Sequence, residues 1–255
     1  MYPDLFSVGS LTIHTYGLFI VVGIIVALLV AIWNRKRHGI NTQQVMDLGF
    51  IVVFSAFIGA RLLYVLIHLS YYKEDPLDVL KVWQGGLVFS GGLLAALLAI
   101  SFYLFRHHLS LWKTGDFLAP SVAIGQAIGR IGCFMAGCCY GKPTIVKWGV
   151  VFHHPDSLAP LYIPLHPTQL YAALSGFIIF IVLMILRTKK QFEGQVLLWF
   201  LILHCTGRLI IERFRGDDRG LILGGDMSLT QLIALLLLFA SVGTLIALKS
   251  RQKEK

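Results

Sequence analysis

The chain has 255 residues, of which 56% are hydrophobic and only 14% charged, and its mean hydropathy is +0.75. A soluble domain carries about a quarter of its residues as Asp, Glu, Lys or Arg, so a water-soluble globule is excluded. The formal net charge is +9, but its distribution follows membrane topology and is no nucleic-acid patch. Four cysteines in a chain of this length exclude a disulfide scaffold.

The leading segment, 1–13, contains Asp4 and no Lys or Arg. A signal peptide begins basic, so the first span, which this segment leads, is not expected to be a classical one. About 20 apolar residues in helix cross a bilayer, and seven such runs follow in order: 15–33, 47–69, 85–104, 116–137, 168–186, 194–214 and 227–248. Runs one, three, five and seven carry no Asp, Glu, Lys or Arg, whereas the other three carry internal charge. Those three are where chemistry is expected. The expected fold is all-α: a polytopic integral membrane bundle of seven transmembrane helices, forming one domain over 1–255.

Orientation follows from Lys and Arg in the connecting loops. Twelve basic residues fall on one side: Arg35, Lys36, Arg37, Arg106, Lys113, Arg187, Lys189, Lys190, Lys249, Arg251, Lys253 and Lys255. The opposite loops mix Lys73, Lys81, Lys142, Lys147, Arg215 and Arg219 with acids. This predicts the N-terminus outside and the C-terminus in the cytoplasm, with the basic loops also touching anionic membrane lipid. The longest stretch outside the spans, 138–167, then lies outside. It holds five prolines, and its segment 147–152 (KWGVVF) is β-prone, so a small folded cap is expected there. Residues 217–220 read as another outer turn.

Arg130 sits in the otherwise uncharged stretch 117–141, crowded by Gly125, Gly129, Gly132 and Gly137. A charge there must face protein, water or an anion, and the planar guanidinium fork suits phosphate oxygens. Arg208 ends the apolar run 196–207 and is four residues before Glu212, a spacing that pairs them on one helix face. Two guanidiniums inside spans point to a site for a lipid phosphate. Arg61, in GAR at 59–61, either snorkels to the surface or joins that site. In the glycine-rich entry to the third run, Gly85, Gly86, Gly91 and Gly92 admit either close helix packing or a kink that opens Ser90 to a cavity. The run 166–171 (HPTQLY) opens the fifth span with Thr168 as a plausible N-cap and His166 at the water boundary. His14 and Tyr16 hold the equivalent place at the first span. Cys133, Cys138 and Cys139 are spaced by five and one. Zinc ligands favour C-x2-4-C spacing, so no metal site is expected, and inert thiols are the simplest reading.

Taken together, HTYG at 14–17, GAR at 59–61, the paired glycines at 85–86 and 91–92, GRIG at 129–132, WG at 148–149, HPTQLY at 166–171 and GR…ERFR over 207–215 resemble the prolipoprotein diacylglyceryl transferases, from about His14 to Arg215. The resemblance implies an enzyme of the bacterial plasma membrane. It moves the diacylglyceryl group of phosphatidylglycerol onto the lipobox cysteine in a prolipoprotein signal peptide. A thioether forms and glycerol phosphate leaves; no cofactor takes part, and a monomer suffices. By matching positions, Arg130 and Arg208 hold the lipid phosphate and act on the leaving group. Tyr16 and Glu212 support the site, and Arg61, Ser90, Gly91 and Gly92 belong to the substrate-binding set. The chain departs from the family pattern. Many members carry histidine at the position of Ser90, asparagine at Cys133 and Ala136, and glutamate at Cys138 and often at Ala172. With that histidine missing, either His166 or solvent helped by the arginines takes the thiol proton, or the chain is a paralogue with an altered substrate. The rival readings are a membrane thiol oxidoreductase using the cysteines, and a lipid-binding paralogue without chemistry.

Overall fold

The computed structural model describes residues 2–8, 11–35, 39–82, 85–217 and 227–253. Residues 218–220 of the expected outer turn, and Lys36 and Arg37 of the first basic loop, lie outside the described residues. Seven helices are long and apolar enough to cross a membrane. They are α1 (Thr15–Asn34), α2 (Thr42–Ile67), α4 (Phe89–Arg106), α5 (Leu111–Ala136), α6 (Thr168–Leu186), α7 (Gln195–Glu212) and α8 (Leu229–Lys253), with a short α3 (Leu69–Glu74) after α2. Eighteen residues at 1.5 Å rise already give about 27 Å, close to the hydrocarbon thickness. Large apolar side chains such as Phe54, Leu94, Leu174 and Phe239 point outward from these helices, as lipid requires and water would not tolerate. The chain is a multi-pass helical membrane protein.

The chain divides into two compact units. The first, Asn34–Thr114, is built on α2 against α4. Asn41 opens α2 with a capping box: its side chain accepts from the Gln44 backbone N–H while the Gln44 side chain accepts from the Asn41 N–H. The α2–α4 contact is made by small residues. A Cβ on Gly59 would strike Ala95 and the Gly91 carbonyl, and one on Gly91 or Gly92 would strike the backbone of Gly59 or Ala56. Of the two sequence readings for these glycines, close packing is the one realised. At the other end of the pair, Tyr103 donates to Asp47 (3.1 Å), beside the buried Leu48 and Leu104.

The second unit comprises Met1–Trp33 and Gly115–Lys255. Helices approach closely here too: Gly23 of α1 meets the backbone of Gly125, and Gly176 of α6 meets Ala127. Ala119, Ala123, Ile179, Leu183, Val196 and Phe200 form a core shared by α5, α6 and α7. Asp116, fully buried in the first turns of α5, does not pair with a charged residue in the middle of a span. Its carboxylate accepts from the N–H groups of Gly194 (2.8 Å) and Leu197 (2.9 Å) and faces Lys190 (3.4 Å). It thus caps the N-terminus of α7, which its own Gly194 cap cannot do with a side chain.

Two small strand pairs complete this unit. β1 (Asp4–Val8) and β2 (Leu11–His14) form an antiparallel hairpin that runs directly into α1. The sequence reading did not anticipate it. β3 (Val150–Val151) pairs with β4 (Pro164–Leu165) in the β-prone stretch. Around them, Phe152, Ala159 and Leu165 are buried against Phe134 and Tyr140, so 138–167 is folded on its own apolar cluster. The Lys142 N–H donates to the Phe214 carbonyl (2.8 Å) and the Gly216 N–H to the Tyr140 carbonyl (3.1 Å). These bonds tie the segment to the end of α7.

Candidate active site

Two of the arginines singled out from sequence lie in the second unit, within electrostatic reach of one histidine. Arg130 lies on α5 and Arg208 on α7, both partly buried. The charges of both reach the ring of His204, which sits one turn before Arg208 on α7 and stacks on Phe200 with ring centroids 5.5 Å apart. His204 was passed over in the sequence because it lies inside an apolar run. The signal was its spacing, four residues before Arg208 on the same face.

The two arginines differ in their counter-charges. Arg208 Nη2 is 2.9 Å from Glu212 Oε2, across one helical turn. The contact is one of charge, without an aligned hydrogen bond. The other carboxylate oxygen accepts from the hydroxyls of Ser228 (3.1 Å) and Thr230 (3.2 Å) at the start of α8, which fixes the acid that fixes the arginine. Among the described residues, no carboxylate lies within 4 Å of Arg130. A guanidinium inside a spanning helix without an acid partner is strongly biased toward an anionic ligand. Counting Glu212, the two cations leave the cluster with net positive charge.

Tyr16, in the first turn of α1, is within electrostatic reach of Arg130, and its backbone lies over Gly132. A Cβ added at Gly129 or Gly17 would meet nothing within 4 Å, so open space lies beside both Arg130 and Tyr16. Electrostatic reach links Tyr16 to Arg130 and both Arg130 and Arg208 to His204, and Glu212 pairs with Arg208.

His166 is placed differently. It precedes α6, and Pro167, not Thr168, occupies the N-cap position without a side-chain bond. The Thr168 hydroxyl donates instead to the Cys139 carbonyl (2.7 Å), because the cysteine loop folds back over the helix start. The His166 Nδ1 is 3.2 Å from the Tyr171 hydroxyl, which also accepts from Trp148 (2.8 Å), and its ring packs edge-on against Phe214. His166 belongs to this aromatic group with Tyr171 and Phe214.

The remaining expected residues lie in the first unit. Arg61 is buried and its guanidinium faces five backbone carbonyls: Nε to Val79 (2.9 Å), Nη1 to Gly85 (2.8 Å) and Gly86 (3.2 Å), Nη2 to Asp78 (2.7 Å) and Lys81 (3.4 Å). An arginine has five N–H donors, so none is left to offer an anion. It neither snorkels nor presents a fork; it holds the loop 78–86 in place. Gly85 and Gly86 accept from it at φ of 88° and 75°, a backbone region that favours glycine. A cavity of about 260 Å³ beside it is lined by Arg61, Tyr64, His68, Tyr71, Tyr72 and Asp78. Ser90, in the first turn of α4, is exposed.

Cys133, Cys138 and Cys139 come together in the second unit, with their sulfurs all within 4.8 Å of one another. Cys133, Cys138 and Arg215 hydrogen-bond the Cys139 sulfur. All four cysteines are thiols.

A sequence profile of the prolipoprotein diacylglyceryl transferases matches residues 3–247. The chain belongs to the prolipoprotein diacylglyceryl transferase family. It is 34% identical to the phosphatidylglycerol–prolipoprotein diacylglyceryl transferase of Clostridium tetani over 86% of this chain and 88% of that protein. It is 40% identical to that of Oleidesulfovibrio alaskensis over 85% and 80%, and 33% identical to that of Legionella pneumophila over 94% of each.

Proposed function

We propose that this protein transfers the diacylglyceryl group of phosphatidylglycerol to the lipobox cysteine of a prolipoprotein, and that the Arg130–Arg208 cluster is where the lipid phosphate sits. The observation that supports this reading is that guanidiniums from two spanning helices both lie within electrostatic reach of His204, one of them, among the described residues, with no carboxylate within 4 Å. The substrate thiol sulfur attacks the glycerol carbon that bears the phosphate ester. A C–S bond forms, the C–O bond breaks, glycerol phosphate departs with the electron pair, and the thiol proton leaves to an acceptor. Negative charge grows on the departing phosphate, and fixed cations in a water-poor site stabilise that growth. Arg130 and Arg208 are the catalytic pair. Glu212 orients Arg208, and Tyr16 lines the open space beside Arg130. His166, within the folded segment 138–167, is the proposed proton acceptor. The donors of Arg61 serve its own loop, and Gly91 and Gly92 serve helix packing; neither enters this mechanism, and Ser90 is a minor contributor.

The protein acts in the bacterial plasma membrane as a monomer with no cofactor, and 1–255 works as one catalytic domain. Its N-terminus and the cap 138–167 are outside, where a signal peptide presents its cysteine, and its C-terminus is cytoplasmic. The loop charge bias supports this orientation. In a test with purified protein, phosphatidylglycerol and a lipobox peptide, mass spectrometry should find a diacylglyceryl adduct on the peptide cysteine. Removing one transition-state donor costs about 100-fold or more, so Arg130→Ala and Arg208→Ala should each lose it to that extent. Near-normal turnover by Arg130→Ala would overturn the assignment.

A further inference from the structure

We propose that Cys133, Cys138 and Cys139 form a three-thiolate site for a thiophilic d10 metal cation, of which zinc is the common biological example. The spacing of five and one hides this in sequence. The fold creates it at the end of α5, where Gly137 turns the chain at φ 77° and Cys139 follows at φ 60°. That turn throws Cys138 and Cys139 back onto Cys133, and the Cys138 thiol lies 3.7 Å from the Cys133 carbonyl. Positive φ at a residue other than glycine is strained and persists only where its surroundings hold it. Here two fully buried side chains of α6 do so: the Thr168 hydroxyl donates to the Cys139 carbonyl (2.7 Å), and the Gln169 amide to the Cys138 carbonyl (2.8 Å). A Cβ on Gly137 would collide with Ser157, so the turn is also closed from the side.

The sulfur spacing suits a metal. Zinc–thiolate bonds of about 2.3 Å place sulfurs about 3.8–4.0 Å apart in tetrahedral or trigonal arrangements. The three sulfurs here lie within 4.8 Å of one another, an adjustment of less than about 1 Å from the metal-bound spacing. Soft thiolates select zinc, cadmium or cuprous ions over magnesium or calcium. Binding replaces three S–H bonds by three metal–sulfur bonds and releases the protons to solvent. Three thiolates leave a fourth coordination position for water. Arg215, itself paired with Asp217 (2.6 Å), hydrogen-bonds the Cys139 sulfur at the edge of this cluster.

The inference does not rest on the transferase reading, because its measurement is spectroscopic. Reduced full-length protein in detergent, kept free of oxygen, is titrated with cadmium. We expect a sulfur-to-cadmium charge-transfer absorption that saturates at one equivalent per chain, with proton release and a higher melting temperature. Zinc should compete it away and magnesium should not. Cys138→Ser should weaken binding by at least 10-fold, whereas Cys205→Ser, on α7, should match wild type. Should a serine variant fail to fold, the wild-type absorption, stoichiometry and proton release still decide. The proposal is overturned by no charge-transfer band in the wild type, by an unchanged band when all three cysteines are serine, or by thiol counting that finds two of the three joined in a disulfide opened only by reductant.

Discussion

Arg61 and Arg130 are the same residue type in spanning helices of the two units, and they do opposite things. Arg61 presents its donors to five carbonyls of one loop, whereas Arg130 has no carboxylate within 4 Å among the described residues and open space beside it at Gly129. An arginine in a spanning helix signals function only when its hydrogen-bonding capacity is left over. The backbone around it decides that. Gly85 and Gly86 expose carbonyls to Arg61, while the helical carbonyls around Arg130 are already used in α5.

The contrast is sharpest in a pair of variants. Arg130→Gln should abolish transfer by about 100-fold or more while leaving the melting temperature of the detergent-solubilised protein nearly unchanged. Arg61→Gln should do the reverse. It strands buried carbonyls at a cost of about 2 kcal/mol or more, read as a lower melting temperature, with kcat per folded molecule retained. If Arg61→Gln instead kept its stability and lost kcat, the two arginines would belong to one class and the comparison would fail. Glu212→Gln tests the intermediate case. It removes the charge that sets Arg208 but keeps the amide oxygen for Ser228 and Thr230. A loss of about 10-fold in kcat is expected, with KM for phosphatidylglycerol little moved; a loss as large as that of Arg130→Gln would make Glu212 a direct participant. The smallest effect belongs to Ser90→Ala. The side chain is exposed, so adduct formation should change by less than about 3-fold, and a complete loss would move the chemistry to α4.

Much of this was legible in the residues, and the reason is local. Each of the seven helices satisfies its own backbone, as hydrocarbon demands, so length and hydropathy sufficed to mark them. The Arg208–Glu212 pair was legible for the same reason, because one turn of helix joins them. Asp116 was not. Its partners Gly194 and Leu197 lie far along the chain, and nothing near Asp116 announces an N-terminus to cap. His204 was masked by the apolar residues around it, and Thr168 read as a cap because a threonine after proline at a helix start ordinarily is one. The hairpin Asp4–Val8 with Leu11–His14 escaped because it is a short pairing before the first span, where attention to hydropathy alone sees only the absence of basic residues.

By itself, then, the sequence determined the membrane class, the number and approximate places of the spans among the described residues, and which few side chains carry charge within them, all of which follow from period, length and composition along a continuous stretch. Only the tertiary structure decided which of those charges find partners, which lie within electrostatic reach of His204, and which thiols stand close enough to share a ligand. Those outcomes depend on distances between helices, and such distances are set by small residues such as Gly23, Gly125 and Gly176, whose effect appears only once a second helix is packed against them.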